Sequence, residues 1–432
     1  MVSVEEIQRV AIVGGPGGRE AAIEKRLLEE RPHLTIIHIP VMSMVQLVTN
    51  IAKAIPDFVI AGSEAPLVQG LANSLKGLGI PCFGPTQQAS QLEGSKAFAI
   101  SRMKKCGVGH PRSFVVSSMD DARVVILSWP VDSKIVVKAD GLASGKGVTI
   151  ARTKEEALHA VGENFKRYPG LSVVLQEFVA GFEMSVFGFT DGNTVSSLVS
   201  AEDYKQRSAK DSRMTGGMGA YAPHRLWTPE LEQQIRTRVF LPMLQEMREP
   251  GIPYRGVLYA GLMLILNEGG EVSDFVVLEF NCRFGDPEAQ VILPLLKGDF
   301  LALMHACVYG GVAQVPLRWD NDTSVVAVVI VTPGYPGQET PETQAMLEGL
   351  ALHIPDKLYR SARWSNAYVL KSSKVQKQID GTYRIVGSGR VLTVVARNKS
   401  MWQARNRALS VVRAICSQAQ GLLSFREDVA EF

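Results

Sequence analysis

Over its first 90 residues the sequence switches period repeatedly, with the apolar runs RVAIVGG, LTIIHI, DFVIAG and IPCFGP separated by the helical patterns REAAIEKRLLEE, VQLVTNIAKAI and LVQGLANSLKGLG. Short strands that alternate with helices need βαβ crossovers, so this stretch predicts an open parallel sheet covered on its faces. The texture changes near Ser95. A helix is expected from Lys96 to Lys105, a hairpin-like region from Ser133 to Arg152, and a strand in LSVVLQEFVA. Residues 190 to 320 combine strands such as SDFVVLEFN with the helical repeat PELEQQIRTRVFLPMLQEM, which reads as a larger sheet-based domain. Beyond TSVVAVVIVTPGYPG the pattern is β-rich and closes on the helix of SMWQARNRALSVVRAICSQA. The expected class is therefore mixed α/β and α+β in several domains: 1–95, 96–324 with a small lobe at about 116–190, and a β-rich 325–432. Internal repeats and low-complexity tracts are absent from the sequence, which argues against a solenoid or a disordered interaction protein.

With 432 residues, 46% of them hydrophobic, the chain can bury several cores. The 46 basic residues outnumber the 43 acidic ones by only three and are scattered, so a small-molecule substrate is expected rather than nucleic acid. No apolar run approaches the roughly 18 residues of a membrane span, and the start MVSVEEIQRV is acidic where a secretory leader would be basic. The cytoplasm is the expected compartment. Cys82, Cys106, Cys282, Cys307 and Cys416 are odd in number and lack a CxxC, which reads as reduced core thiols rather than disulfides or a zinc site.

Five segments carry chemistry. The first strand runs into Gly14–Gly15–Pro16–Gly17–Gly18–Arg19–Glu20 and then a helix, an arrangement that lets backbone amides approach an anion. It lacks the third glycine of a dinucleotide fingerprint and the GK[ST] of a P-loop, and it would equally serve as a tight turn. In IVVKADGLASGKGVTIA a strand delivers Lys138, and Gly145, Lys146 and Gly147 form a basic hairpin tip suited to laying over a triphosphate. The strand of VVLQEFVAGFEMSV ends in Glu177, Phe178 and Val179, whose backbone could face an adenine edge, with Glu183 placed for ribose hydroxyls. In VVLEFNCRFGDPEAQ the period-2 spacing puts Glu279 and Asn281 on one face as hard oxygen ligands for Mg²⁺, with Arg283 in phase for a carboxylate or phosphate. Finally MTGGMGAYAP, around Thr215, suggests a backbone cradle for an anion or acyl phosphate.

Taken in order, these segments resemble the glycinamide ribonucleotide synthetases (phosphoribosylamine–glycine ligases), an ATP-grasp family. The resemblance rests on GGRE, SEAPLV, FGPT, LEGSKAF, VVKADGLASGKGV, TGGMGAY, GVLYAGLM and EFNCRFGDPEAQ, and covers nearly the whole chain. It implies an N-terminal substrate-binding domain, an ATP-grasp region with a mobile lobe, and a C-terminal domain. It further implies ATP on Lys96, Lys138, Lys146, Gly145, Gly147, Glu177, Phe178, Val179 and Glu183, and Mg²⁺ or Mn²⁺ on Glu279 and Asn281. Glycine and the acyl phosphate would lie near Asp203, Thr215, Gly217, Met218, Gly219, Arg283 and Asp286, with Lys146, Arg283 and Asp286 as the catalytic group. Gly17, Gly18, Arg19, Glu20, Glu64 and Pro66 would seat 5-phosphoribosylamine, and the implied enzyme is a monomer or homodimer without nucleic-acid or membrane partners.

The chain departs from the family pattern on the substrate side. Ala21 stands where GGREHAL has His, and His38–Ile39–Pro40–Val41 replaces a GNAG-type loop. Glu202, Asp203, Tyr204, Lys205 and Gln206 replace QDHKR, and SAKDSRMTGG lacks the usual GPN. A paralogous ligase with another amino acid or amine therefore stays open, as does a nucleotide-binding pseudoenzyme.

Overall fold

The computed structural model of the chain describes residues 2–143, 147–348, 350–354 and 366–432. The N-terminal alternation becomes β1 (Arg9–Val13), α1 (Arg19–Glu30), β2 (Thr35–Ile39), α2 (Met44–Ala54), β3 (Phe58–Ala61), α3 (Glu64–Val68), α4 (Leu71–Gly77) and β4 (Cys82–Phe83). The strands pair in parallel in the order β2-β1-β3-β4. All of β3 and all but the first residue of β1 are buried, as expected of strands covered on both faces. Chain order reverses between β1 and β3, which opens a crevice at their C-terminal ends, where the glycine turn 14–18 and Glu64 lie.

After α5 (Gln91–Gly94), Ser95 caps α6 (Lys96–Cys106) by accepting from the Phe98 N–H. The small lobe follows as an antiparallel sheet, ordered β5-β8-β6-β7, of β5 (Ser113–Val116), β6 (Ile135–Ala139), β7 (Val148–Ala151) and β8 (Val173–Glu177). Its helices Met119–Ser128 and Lys154–Arg167 bury Ala122, Ile126, Ala157 and Val161 against that sheet. The expected hairpin is present, with Lys138 opposite Val148.

β9 (Phe182–Thr190), inside the 116–190 stretch assigned to the small lobe, belongs instead to a central antiparallel sheet. That sheet runs β15-β14-β9-β10-β13 and continues through Ser324–Val331, Arg390–Asn398 and Ala367–Lys371. Its first five strands are β9, β10 (Val199–Asp203), β13 (Gly219–Ala222), β14 (Gly256–Leu266) and β15 (Val272–Asn281), with the hairpin of β11 (Gln206–Ser208) and β12 (Asp211–Met214) between β10 and β13. The sheet thus crosses the 324/325 boundary: Ser324–Val331 pairs with β13 on one side and Arg390–Asn398 on the other. The closing helix, Met401–Cys416, buries Ala404, Ala408 and Val412 in the same cluster as Val326 and Val394. All five cysteines are free; Cys82, Cys282 and Cys307 are buried, whereas Cys106 and Cys416 are only half-buried.

Candidate active site

Lys138 enters the site from β6 with its side chain almost wholly buried and its ammonium donating to the Leu278 carbonyl on β15 at 3.4 Å. Burial pushes that ammonium down to about 8, opposed by Glu279 and helped by Lys96 and Lys205. An anion beside it would favour its charged form further. Lys96, at the start of α6, donates to the Gly141 carbonyl at 2.9 Å. Glu183, exposed on β9, accepts from the Lys205 ammonium at 2.7 Å through one oxygen, so ribose hydroxyls would share the carboxylate with that lysine. Glu177, Phe178 and Val179 stand at the end of β8, with the Lys134 ammonium 4.6 Å from the Phe178 ring centroid. Gly147 packs closely on Ala139, since a Cβ there would lie 3.0 Å from that residue's Cβ. Gly145 and Lys146 lie outside the described residues.

Glu279 and Asn281 stand opposite Gly261 and Tyr259 in the β14–β15 ladder. Burial alone would raise the Glu279 carboxyl, but Lys205, Lys138 and Lys96 overcome it and hold the group below its ordinary range. The Asn281 oxygen accepts from Arg283 at 3.2 Å. Among the described residues no cluster of three or more His, Cys, Asp or Glu side chains could hold a metal alone. One ionised carboxylate and one amide oxygen, set among lysines, fit a Mg²⁺-like cation that takes its other ligands from phosphate and water. Deeper in, burial pushes the Asp203 carboxyl up, while Lys205 stays firmly charged because Asp203 and Glu183 outweigh its burial.

On the other side, Arg283 spends its donors inside the protein. It contacts Glu64 at 3.2 Å, Glu93 at 2.9 Å, the Phe284 carbonyl at 3.3 Å and Asn281. Its expected contact with a substrate carboxylate therefore needs a change of partners. Arg19 likewise binds Glu20 at 3.1 Å and the Phe284 carbonyl at 2.9 Å, and lies 3.5 Å from Glu64. Burial would raise Glu64, but Arg283 and Arg19 hold it down at about 2. Pro66 is buried in α3 and has no polar side-chain group. Glu20 packs so closely on the glycine turn that a Cβ at Gly14 would fall 2.7 Å from its side chain.

The anion cradle expected at Thr215–Gly219 is differently built. The N–H groups of Thr215, Gly216, Gly217 and Met218 donate to the Lys205 carbonyl, the Tyr335 hydroxyl, the Thr215 hydroxyl and the Tyr204 carbonyl. Because each already has a partner, the loop shapes a wall instead of presenting bare donors. Gly217 sits at φ 110°, and a Cβ there would stand 2.4 Å from Cδ of Pro287. Gly217→Ala is therefore expected to cost about 2–3 kcal/mol in denaturant unfolding, and a loss under about 0.5 kcal/mol would show that the loop relaxes freely. In the glycine turn, Gly17 donates to the Gly15 carbonyl and Gly18 to the Lys371 carbonyl, which leaves that turn fewer free amides than its sequence suggests. Asp286, expected as catalytic, has both carboxylate oxygens engaged, one by Arg390 and one by Gln290, each at 2.7 Å.

Four further residues in this junction were not singled out from sequence as site residues. Lys205 appeared only as a departure, though its i,i+2 spacing from Asp203 was a usable signal. Glu93 lies in LEGSKAF and accepts from the Cys282 N–H at 2.7 Å. Glu288 follows Asp286 and accepts from the Tyr259 hydroxyl at 2.9 Å. Arg390 carried no local signal.

Comparison with known proteins matches these regions. The family model for the phosphoribosylglycinamide synthetase N domain covers residues 8–93, and that for the phosphoribosylglycinamide synthetase ATP-grasp (A) domain covers residues 94–289. Phosphoribosylamine–glycine ligase of Nostoc sp. is 36% identical over 94% of this chain and 95% of its own length. The chain belongs to the phosphoribosylglycinamide synthetase family. Another relative, the trifunctional purine biosynthetic protein adenosine-3 of Drosophila melanogaster, is 36% identical over 98% of the chain, which spans only 32% of that protein. Among solved structures, phosphoribosylamine–glycine ligase of Thermotoga maritima superposes with a TM-score of 0.75 at 27% identity, covering 98% of this chain and 100% of that one. The ATP-grasp architecture expected from the sequence is thus the family's own. Among the described residues no helix is long and apolar enough to cross a membrane.

Proposed function

We propose that the chain joins glycine to 5-phosphoribosylamine through glycyl phosphate, using ATP and Mg²⁺ or Mn²⁺ and giving glycinamide ribonucleotide, ADP and phosphate. The observation that carries this reading is the meeting of Lys138, Lys205 and Glu279, with the exposed Glu183 at the rim, around one partly buried face in a chain of this family. Lys96 and Lys138 would hold phosphate oxygens, the strand end Glu177–Val179 the adenine, and Glu183 the ribose, with Gly145, Lys146 and Gly147 folding over the outer phosphates. Glu279 and Asn281 would hold the divalent cation, which when bound supplies positive charge to the phosphate oxygens. Asp203 and the wall 215–219 would seat glycine, and the turn 17–20 with Glu64 and Pro66 would bound the amine pocket.

The chemistry balances in two displacements. A glycine carboxylate oxygen attacks the γ-phosphorus and ADP leaves; the amine nitrogen then attacks the acyl carbon, and phosphate departs with that oxygen while the nitrogen loses a proton. Positioning and fixed charge suffice, and no covalent intermediate with the protein is needed.

One observation favours a second reading, a ligase for another amine. β2 ends at Ile39 and α2 begins at Met44, so a short connection lines that part of the crevice, and His38 is tied to Glu24 at 2.9 Å. Phosphate release measured with glycine and freshly made phosphoribosylamine, beside a panel of other amino acids and amines, separates the two. Release that needs both natural substrates supports the first reading. Release with a different pair only replaces it with the second, and failure with every pair overturns both.

A further inference from the structure

The C-terminal region reaches the acceptor side of the site at three places. Arg390, the first residue of the strand Arg390–Asn398, donates from one terminal nitrogen to the Gly216 and Asp286 carbonyls, each at 2.8 Å, and from the other to the Asp286 carboxylate at 2.7 Å. The Tyr335 hydroxyl accepts from the Gly216 N–H at 2.8 Å, so both backbone groups of Gly216 are pinned from the C-terminal side. The Lys371 carbonyl accepts from the Gly18 N–H at 3.1 Å, and the Ser372 backbone lies 2.5 Å from where a Cβ at Gly17 would stand. The guanidinium joins these places through Asp286, whose carboxylate oxygen would lie 2.4 Å from a Cβ at Gly18 and therefore packs directly on the glycine turn. Gln290 holds the other oxygen at 2.7 Å.

From this junction we infer that Arg390 is a positioning residue for the amine-transfer half of the reaction, acting through Asp286 on the turn 17–18; the inference rests on the function proposed above. A partly buried ion pair of this kind contributes little net stability and more to a defined geometry. A planar fork that satisfies three oxygens at once is a task lysine cannot copy. None of its hydrogen bonds goes to Lys138, Glu183, Lys205 or Glu279. Gly216, in the wall that would seat glycine, keeps its Tyr335 hydrogen bond when Arg390 is lost, whereas Asp286 loses the guanidinium that holds it on the glycine turn. The loss should therefore weigh on the amine-transfer half far more than on the phosphoryl-transfer half.

The test uses the full chain and the variants Arg390→Met and Arg390→Lys, each measured in two ways. One is glycine-dependent positional isotope exchange within ATP, which needs glycyl phosphate formation and no amine. The other is complete ligation with phosphoribosylamine. Arg390→Met should keep the exchange within about threefold of the unaltered protein while ligation falls about a hundredfold, the scale of an ångström-size misplacement, with Arg390→Lys between. Parallel loss of both activities would mark a merely structural role and overturn the inference, as would unchanged ligation. If Arg390→Met does not fold, the same split is read from Arg390→Lys. Absence of glycine-dependent exchange in the unaltered protein would overturn the proposed function itself and remove this inference's basis.

Discussion

Glu279→Gln is expected to lower ligation by roughly 10²- to 10³-fold at saturating ATP, the scale of removing one preorganised polar group from a transition-state site. The substitution keeps shape and removes one negative charge. Three ammonium groups, on Lys205, Lys138 and Lys96, then lose the carboxylate that all three share, though Lys205 keeps Glu183. Lys138 loses the strongest of the influences that keep it protonated, so its hold on phosphate weakens even where the fold is intact. The proposed cation also loses its only charged protein ligand, and the metal concentration for half-maximal rate should rise. Steady-state rates across a Mg²⁺ titration, with the melting temperature as a control on folding, check this. Activity within about tenfold of the unaltered protein, with the same metal dependence, would remove Glu279 from the site.

Arg283→Met is expected to have the largest effect on stability, about 3–5 kcal/mol, because it strands two carboxylates that the guanidinium now pairs. Glu64 and Glu93 come from two segments of the chain and meet Arg283 at 3.2 and 2.9 Å. Glu64 gives the effect a pH signature. Its folded carboxyl is held at about 2, against the ordinary 4.5 of a free glutamate. A depressed folded value means that the contribution is complete above the unfolded value and is lost as pH falls from about 4.5 toward 2. Glu93 works the other way, since burial raises its carboxyl. The acid limb should therefore flatten in Glu64→Gln, which removes the depressed group, and in Arg283→Met, which removes its strongest cationic partner. Urea unfolding between pH 2 and 7 measures it; an unchanged acid limb in both variants would mean that Glu64 is not held by Arg283 in solution.

Much of the nucleotide side was legible in the sequence because its signals are local. The alternation of the first 90 residues specified a parallel sheet, and two apolar runs around a glycine-rich segment specified the β6–β7 hairpin. Glu279 and Asn281 could be paired because a strand repeats every two residues. The acceptor side was less legible because its contacts are remote. Arg283 and Glu64 are 219 residues apart, and Arg390 and Asp286 are 104 apart, with no periodicity linking either pair. The loop TGGMG has the composition of an anion cradle, yet its amides are used up by Tyr204, Lys205 and Tyr335, which composition cannot report. Ser324–Val331 is nearly all buried, and a run apolar on both faces does not reveal that it sits mid-sheet across an expected domain boundary.

The most direct measurement follows one oxygen. Glycine labelled with ¹⁸O in its carboxylate is incubated with the chain, ATP, Mg²⁺ and phosphoribosylamine, and the released phosphate is analysed by mass. Activation as glycyl phosphate predicts one labelled oxygen in each phosphate and release that depends on both glycine and the amine. Unlabelled phosphate, or release indifferent to either substrate, would contradict it.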